Sequence, residues 1–262
     1  MPSSSLLTRD LRSALETGDL TIAYQAQYEL DGSMPHDGSV RTTPVAVEAL
    51  CRWSHPVFGA VSPERFIPLA ERGRFLGDVD QHVFARAAAQ VARWRDSGHA
   101  VALSANASPE YFSFGYIDAV MSCLDEFALD PAGVTIEITE APTPQLRPEM
   151  RASIETMRAI GIAISVDDFD AGDTTVAMLE TMPIDEVKLD RSLTQRSDAA
   201  ADAAVAAVAE LSEARGWRLV AEGIETFADL ARARTRGCHR GQGFLWGKPM
   251  DAEEMTALFA RS

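Results

Sequence analysis

Ile162-Ala163-Ile164-Ser165-Val166 runs without a break into Asp167-Asp168. A β-branched, apolar run followed at once by two carboxylates reads as a buried strand that ends on reactive groups. The same event recurs along the chain. Val45-Ala46-Val47 runs into Glu48, Val101-Ala102-Leu103 leads to Asn106, Val134-Thr135-Ile136 runs into Glu137, and Leu219-Val220-Ala221 runs into Glu222. Lys188 stands between Val187 and Leu189 with Asp190 following, and Gln242 opens the last predicted strand. A lone acid at a strand end is ordinarily a helix cap or a turn residue. Recurrence at strand after strand is what caps and turns leave unexplained.

Outward from that stretch the chain alternates. Strands are expected over residues 21–28, 45–51, 100–106, 134–139, 162–167, 186–189, 218–221 and 243–246. Helical periodicity occupies 63–72, 79–97, 114–127, 148–160, 174–181, 198–215, 226–236 and 251–260. The alanine-rich run 199–209 belongs to this set, because Val205, Val208 and Leu211 give it an apolar side. Strand alternating with helix implies βαβ units and a mostly parallel sheet. About eight such units in 262 residues fit a closed α/β barrel, a TIM-like (β/α)8 fold. No linker divides the chain, so one domain over 1–262 with a core at about 18–258 is expected. The stretch 31–44, with Gly32, Pro35, Gly38 and Pro44, reads as a surface excursion.

Composition removes several function classes. Asp and Glu number 39 against 24 Lys and Arg, for a net charge of −15. No dense basic run exists to grip a phosphate backbone, so no DNA or RNA polymer is expected as partner. The richest basic stretch, 232–240, reads as the exposed end of a helix. Three cysteines (Cys51, Cys123, Cys238) with no CxxC pair argue against a disulfide scaffold or zinc ribbon and for a reducing cytoplasm. No signal peptide and no membrane span are legible. The five histidines lack ligand spacing and most read as loop or surface residues, and the four tryptophans read as core.

In a βα barrel the C-terminal strand ends share one mouth. Residues scattered from 48 to 242 then converge on one pocket rich in carboxylates, with amides and one lysine. Ionised carboxylates crowded together need compensating cations. All-oxygen donors suit Mg2+ or Mn2+ better than zinc. An aspartate bridging two ions, beside a neighbour that binds one, is the donor pattern of a two-metal site for displacement at phosphorus.

Glu48-Ala49-Leu50-Cys51-Arg52-Trp53 resembles the signature of the EAL domain family, phosphodiesterases specific for cyclic di-GMP. The resemblance continues through His55-Pro56, Gly59, Pro63 and Phe66-Ile67. It resumes at Asn106-Ala107-Ser108, Glu137-Ile138-Thr139-Glu140, Asp167-Asp168-Phe169, Lys188-Leu189-Asp190-Arg191, 221–226 and Gln242-Gly243. These blocks stand in the family's order over about residues 20 to 255. The resemblance implies a TIM-like barrel whose first strand runs antiparallel to the others. It implies hydrolysis of cyclic di-GMP to linear pGpG with two Mg2+ or Mn2+ ions, and a homodimer. It assigns Glu48, Asn106, Glu137 and Asp167 to one ion and Asp167, Asp168 and Glu222 to the other. Glu222 is the implied general base, Lys188 the contact to the attacking water, and Arg52 the holder of a substrate phosphate. Gln25, Leu50, Asp190 and Gln242 are implied on the substrate, and Glu140 as a brace for the loop after the paired aspartates.

That loop departs from the family. Phe-Gly-Thr-Gly-Tyr-Ser-Ser is usual, and Phe169-Asp170-Ala171-Gly172-Asp173-Thr174-Thr175 stands here. Tyr24-Gln25-Ala26-Gln27 replaces the familiar Tyr-Gln-Pro-Ile. The alternative to an enzyme is therefore a catalytically silent cyclic di-GMP receptor, disabled by its altered loop.

Overall fold

The strand that carries Asp167 and Asp168 is one stave of a closed barrel. The computed structural model describes residues 4–30, 43–139, 147–170 and 175–261. Its strands are β1 (Leu20–Glu29), β2 (Ala46–His55), β3 (Gly59–Val61), β4 (Ala102–Asn106), β5 (Val134–Thr139), β6 (Ala163–Phe169), β7 (Glu186–Leu189), β8 (Arg218–Ala221) and β9 (Arg240–Gly241). Hydrogen bonding follows the order β1-β9-β8-β7-β6-β5-β4-β2, and β1 pairs with β2 to close the ring. β3 lies outside the ring as a short hairpin partner of β2. β1 is antiparallel to both of its neighbours, and the pairings from β2 through β4 to β9 are parallel. The expected barrel with an antiparallel first strand is the fold.

The helices are α1 (Ser4–Thr17), α2 (Pro63–Arg72), α3 (Leu76–Asp96), α4 (Phe114–Glu126), α5 (Pro148–Ala159), α6 (Val176–Leu179), α7 (Arg191–Thr194), α8 (Ala199–Arg215), α9 (Phe227–Thr235) and α10 (Ala252–Phe259). Strand residues that face outward, such as Val187, Leu189, Ile164 and Val166, are at most 2% exposed. They pack under the helical ring, because apolar area removed from water is the dominant favourable term. α8 buries Ala201, Val205, Val208 and Leu211 as its pattern predicts, and ends on Gly216 in the left-handed conformation. α9 starts with a capping box, in which Thr226 accepts from Asp229 N–H and the Asp229 carboxylate accepts from Thr226 N–H. Thr226→Ala is expected to cost about 1 kcal/mol, a fall of about 2–4 °C in melting temperature by calorimetry.

Structure and expectation differ in several places. Residues 243–246 form a turn, not a strand. Trp246 N–H donates back to Gly243 O, and a Cβ at Gly243 would collide with the backbone of Ile224. The strand is the two-residue β9, so Gln242 follows the last strand where it was expected to open it. α1 carried no strong signal, yet Leu7, Leu11 and Ala14 are buried in the core. The helix expected over 174–181 is the single turn α6, capped by Thr175. His55 is 5% exposed, with Nδ1 accepting from Val57 and Phe58 N–H and Nε2 bonded to Asp10 on α1. The basic stretch 232–240 is the end of α9 as expected, with Thr235, Gly237 and His239 exposed, but Arg236 is engaged. The Arg236 guanidinium donates to Leu193 O and Arg196 O and pairs with Asp202. Residues 31–42 of the expected excursion lie outside the described residues. Trp53, Trp94 and Trp217 are core, and Trp246 stacks on Tyr28 with ring centroids 4.7 Å apart.

Candidate active site

Lys188 organises the mouth of the barrel. It lies on β7 between outward-facing Val187 and Leu189, so strand alternation points it inward, and it is fully buried. Its Nζ stands 2.8 Å from Glu222 Oε1, 2.9 Å from Asp167 Oδ1, 3.1 Å from Glu137 Oε2 and 3.4 Å from Glu48 Oε2. Those four carboxylates come from β2, β5, β6 and the residue after β8. Register places them: Asn106 pairs with Glu137 across β4 and β5, and Gln25 pairs with Glu48 across β1 and β2. Asn106 Nδ2 donates to Glu48 Oε1 at 3.1 Å, and Gln242 Nε2 donates to Glu48 Oε2 at 2.6 Å. The Gln242 amide also reaches Gln25 Oε1 at 3.4 Å.

A regular strand would send Asp167 and Asp168 to opposite faces. The β6–β7 register breaks between Val166 and Phe169, and Asp168 takes φ 57°. This bulge turns both carboxylates to the mouth, in a conformation that Asp tolerates better than most residues. Two triads result, Glu48–Glu137–Asp167 and Asp167–Asp168–Glu222, each with one carboxylate oxygen per residue within 4.8 Å of the others. Asp167 belongs to both.

Electrostatics follow from burial and crowding. Burial alone would strip the proton from Lys188, but Asp167, Glu137, Glu222 and Glu48 outweigh it and hold the ammonium well above its ordinary range. Burial pushes Glu137 and Glu222 well up, reinforced at Glu137 by Glu48 and at Glu222 by Asp167, against the pull of Lys188. Burial also raises Asp167 despite Lys188. Glu48 goes the other way: Lys188 and the Gln242 and Asn106 amides overcome its burial and lower it. Burial and the adjacent Asp167 raise Asp168 to about 6. Fully ionised, the five carboxylates and one ammonium would carry four negative charges, the charge that two divalent cations balance. Glu137 Oε1 is buried with no hydrogen-bond donor, which leaves its lone pairs for a cation. The all-oxygen donor set fits magnesium or manganese.

Beside the triads opens a cleft of about 310 Å3 with Leu50, Arg52, Phe66, Val79 and Asp80 on its walls. Arg52 donates one bond to the Cys51 carbonyl at 2.9 Å. Cys51 itself is no nucleophile, since burial pushes its thiol up to about 12. Asp190 caps α7 through Ser192 N–H at 2.8 Å. Glu140 and residues 171–174 of the altered loop lie outside the described residues. Asp80 was missed by the sequence reading. Its only signal is a carboxylate beside the apolar stripe of a helix, because the cleft is made by tertiary packing. Asp80 Oδ2 accepts from Ser108 N–H at 2.9 Å, and burial raises its carboxyl to about 7. A raised carboxyl binds more protons folded than unfolded, so stability is lost as pH rises from about 4 through 7. Asp80→Asn is expected to flatten that loss and to be more stable than wild type above pH 7, read from denaturant midpoints at pH 5 and pH 8.

Known proteins resemble this chain throughout. The EAL domain profile matches residues 8–249. The bifunctional diguanylate cyclase/cyclic di-GMP phosphodiesterase MucR of Pseudomonas aeruginosa is 34% identical over 97% of this chain and 36% of its own length. The oxygen sensor protein DosP of Escherichia coli is 30% identical over 94% of this chain and 30% of its own length. The chain thus spans about a third of these curated relatives. A solved structure of the MucR phosphodiesterase in complex with c-di-GMP superimposes with a TM-score of 0.83 at 33% identity, covering 95% of this chain and 99% of that one. With the profile covering nearly the whole chain and the carboxylate cage at the barrel mouth, this protein belongs to the EAL domain family.

Proposed function

We propose that this chain hydrolyses cyclic di-GMP to linear pGpG, using two Mg2+ or Mn2+ ions at the barrel mouth. The observation that carries the reading is the pair of carboxylate triads sharing Asp167 around a buried Lys188. Glu48, Asn106, Glu137 and Asp167 would hold one ion, and Asp167, Asp168 and Glu222 the other. Bound divalent ions supply a water of lowered pKa and stabilise charge on the attacking and leaving oxygens. The Lys188 ammonium, held among four carboxylates, would contact the attacking water. Glu222 accepts the water proton as the oxygen bonds to phosphorus, and the bond from phosphorus to the leaving ribose oxygen breaks. That oxygen takes up a proton from solvent while Glu222 returns its own to solvent, and the ring opens to the linear dinucleotide. Arg52 offers a planar fork to a non-bridging phosphate pair. Leu50 and the apolar cleft wall receive a base, and Gln25 and Gln242 orient the nucleotide.

The names of the relatives support this substrate, and the retention of Lys188, Asp168 and Glu222 together supports turnover over silent binding. The test is chromatography of pGpG from cyclic di-GMP with Mg2+ or Mn2+, repeated after chelation and after metal restoration. Metal-dependent product is expected, lost with chelator and recovered with metal. Binding by calorimetry with no product in either metal would make the chain a receptor instead.

A further inference from the structure

The barrel interior below the carboxylate cage is unusual for this architecture. Barrel interiors are ordinarily filled by bulky branched side chains in layers. Here the inward positions under the cage are Gln27, Ala46, Ser104, Thr135, Ser165 and Glu186, all at most 5% exposed. These side chains are small or polar where Val, Ile and Leu would ordinarily stand. The row Glu137–Ser165–Glu186–Arg218 is continuous, since each residue is the register partner of the next across β5, β6, β7 and β8. It descends from the cage to the far end of the barrel, where Arg218 is 29% exposed at its side chain.

Hydrogen-bond accounting does not close within this layer. Arg218 satisfies one oxygen of Glu186 and reaches Thr135 Oγ1 at 3.5 Å. Among the described residues Glu186 Oε1, Ser165 Oγ and both amide atoms of Gln27 have no partner, although all three residues are at most 1% exposed. A buried polar group without a partner costs about 1–3 kcal/mol. Four such atoms on three strands face one lumen lined by small and polar side chains, and internal water is what ordinarily satisfies groups of this kind. A metal ion fits less well. The one carboxylate is already paired with a guanidinium, and the remaining donors are neutral.

We propose that the lower lumen is a water-binding site, in which Gln27, Ser165 and Glu186 hold a cluster of ordered water molecules between the cage and Arg218. The cluster supplies the donors that Glu186 Oε1 and Gln27 Oε1 lack and accepts from Ser165 and the Gln27 amide. It forms the floor on which Glu137 and Lys188 rest. None of its three residues is assigned to metal or substrate, so it stands or falls separately from the proposed activity.

A crystal structure of the whole chain at about 1.5 Å tests it directly. Waters within hydrogen-bond distance of Ser165 Oγ, Glu186 Oε1 and the Gln27 amide are expected. Density showing these atoms bonded to one another with no solvent between them overturns the proposal. A pair of variants gives an independent reading by calorimetry. In a hydrated chamber Ser165→Ala admits a water in place of the hydroxyl, so its melting temperature stays within about 2 °C of wild type. Ser165→Val displaces water and strands the remaining polar atoms, lowering it by about 6 °C or more. The reverse order, with alanine the worse of the two, counts against water and for direct side-chain bonding.

Discussion

Glu48→Ala is expected to lower cyclic di-GMP turnover by about 1000-fold or more while the barrel stays folded. Removing a single electrostatic contact to a developing charge already costs about 100- to 1000-fold. Glu48 does more than one such contact: it belongs to a carboxylate triad with Glu137 and Asp167, and it accepts from both Asn106 and Gln242. Its loss frees both amides and removes one of the four carboxylates around Lys188. Three anions still hold the ammonium, so the fold survives. The measurement is pGpG formation at saturating Mn2+, with circular dichroism and melting temperature on the same sample. Unchanged turnover in a folded variant would sink the placement of the reaction at this mouth.

Lys188→Met is expected to be the most destabilising single change at the site. The side chain is fully buried, and among the described residues its ammonium is the one cation that pairs with Glu48, Glu137, Asp167 and Glu222. Breaking a buried ion pair by removing one partner costs about 3–5 kcal/mol, because the other charge is left uncompensated. For a chain of this size that is a fall of about 10 °C in melting temperature without metal. The sign with pH follows. The stranded carboxylates bind protons more tightly folded than unfolded, so the loss is small at low pH and grows as pH rises above about 4. Mn2+ is expected to restore more stability to the variant than to wild type, because ions that bind only the folded state stabilise it by mass action. Activity is expected to stay low even then, since nothing replaces the contact proposed between Lys188 and the attacking water. Calorimetry at pH 5 and pH 8, with chelator and with Mn2+, separates these effects. A variant as stable as wild type in chelator at pH 8 would refute the electrostatic account of the cage.

How much of this was legible beforehand differs from element to element. Strands that are apolar on their outward side announced themselves, since Val, Ile and Leu must be buried under helices whatever the details of packing. α8 was legible for the same reason, through Val205, Val208 and Leu211. α1 was not, because the partners of Leu7, Leu11 and Asp10 lie far along the chain, at α2 and His55 among others. β9 was misplaced because two residues of strand carry no periodicity, and the turn after it depends on a close approach to Ile224. Asp80 was invisible as a site residue, since a cleft between α3 and β2 does not exist until both are packed.

The amino-acid sequence alone determined the barrel class, the identity of the carboxylates, the lysine and the amides, and their places at strand ends. Periodicity and strand-end position are local properties, and side-chain chemistry needs no tertiary context. Only the tertiary structure decided that Lys188 is surrounded by four carboxylates and that Asp167 is shared by two triads. It also decided that the bulge at Asp168 turns both aspartates to one face, and that the lumen beneath is polar with unpartnered groups. These depend on strand register around a closed ring, where a shift of one residue would point every one of those side chains the other way.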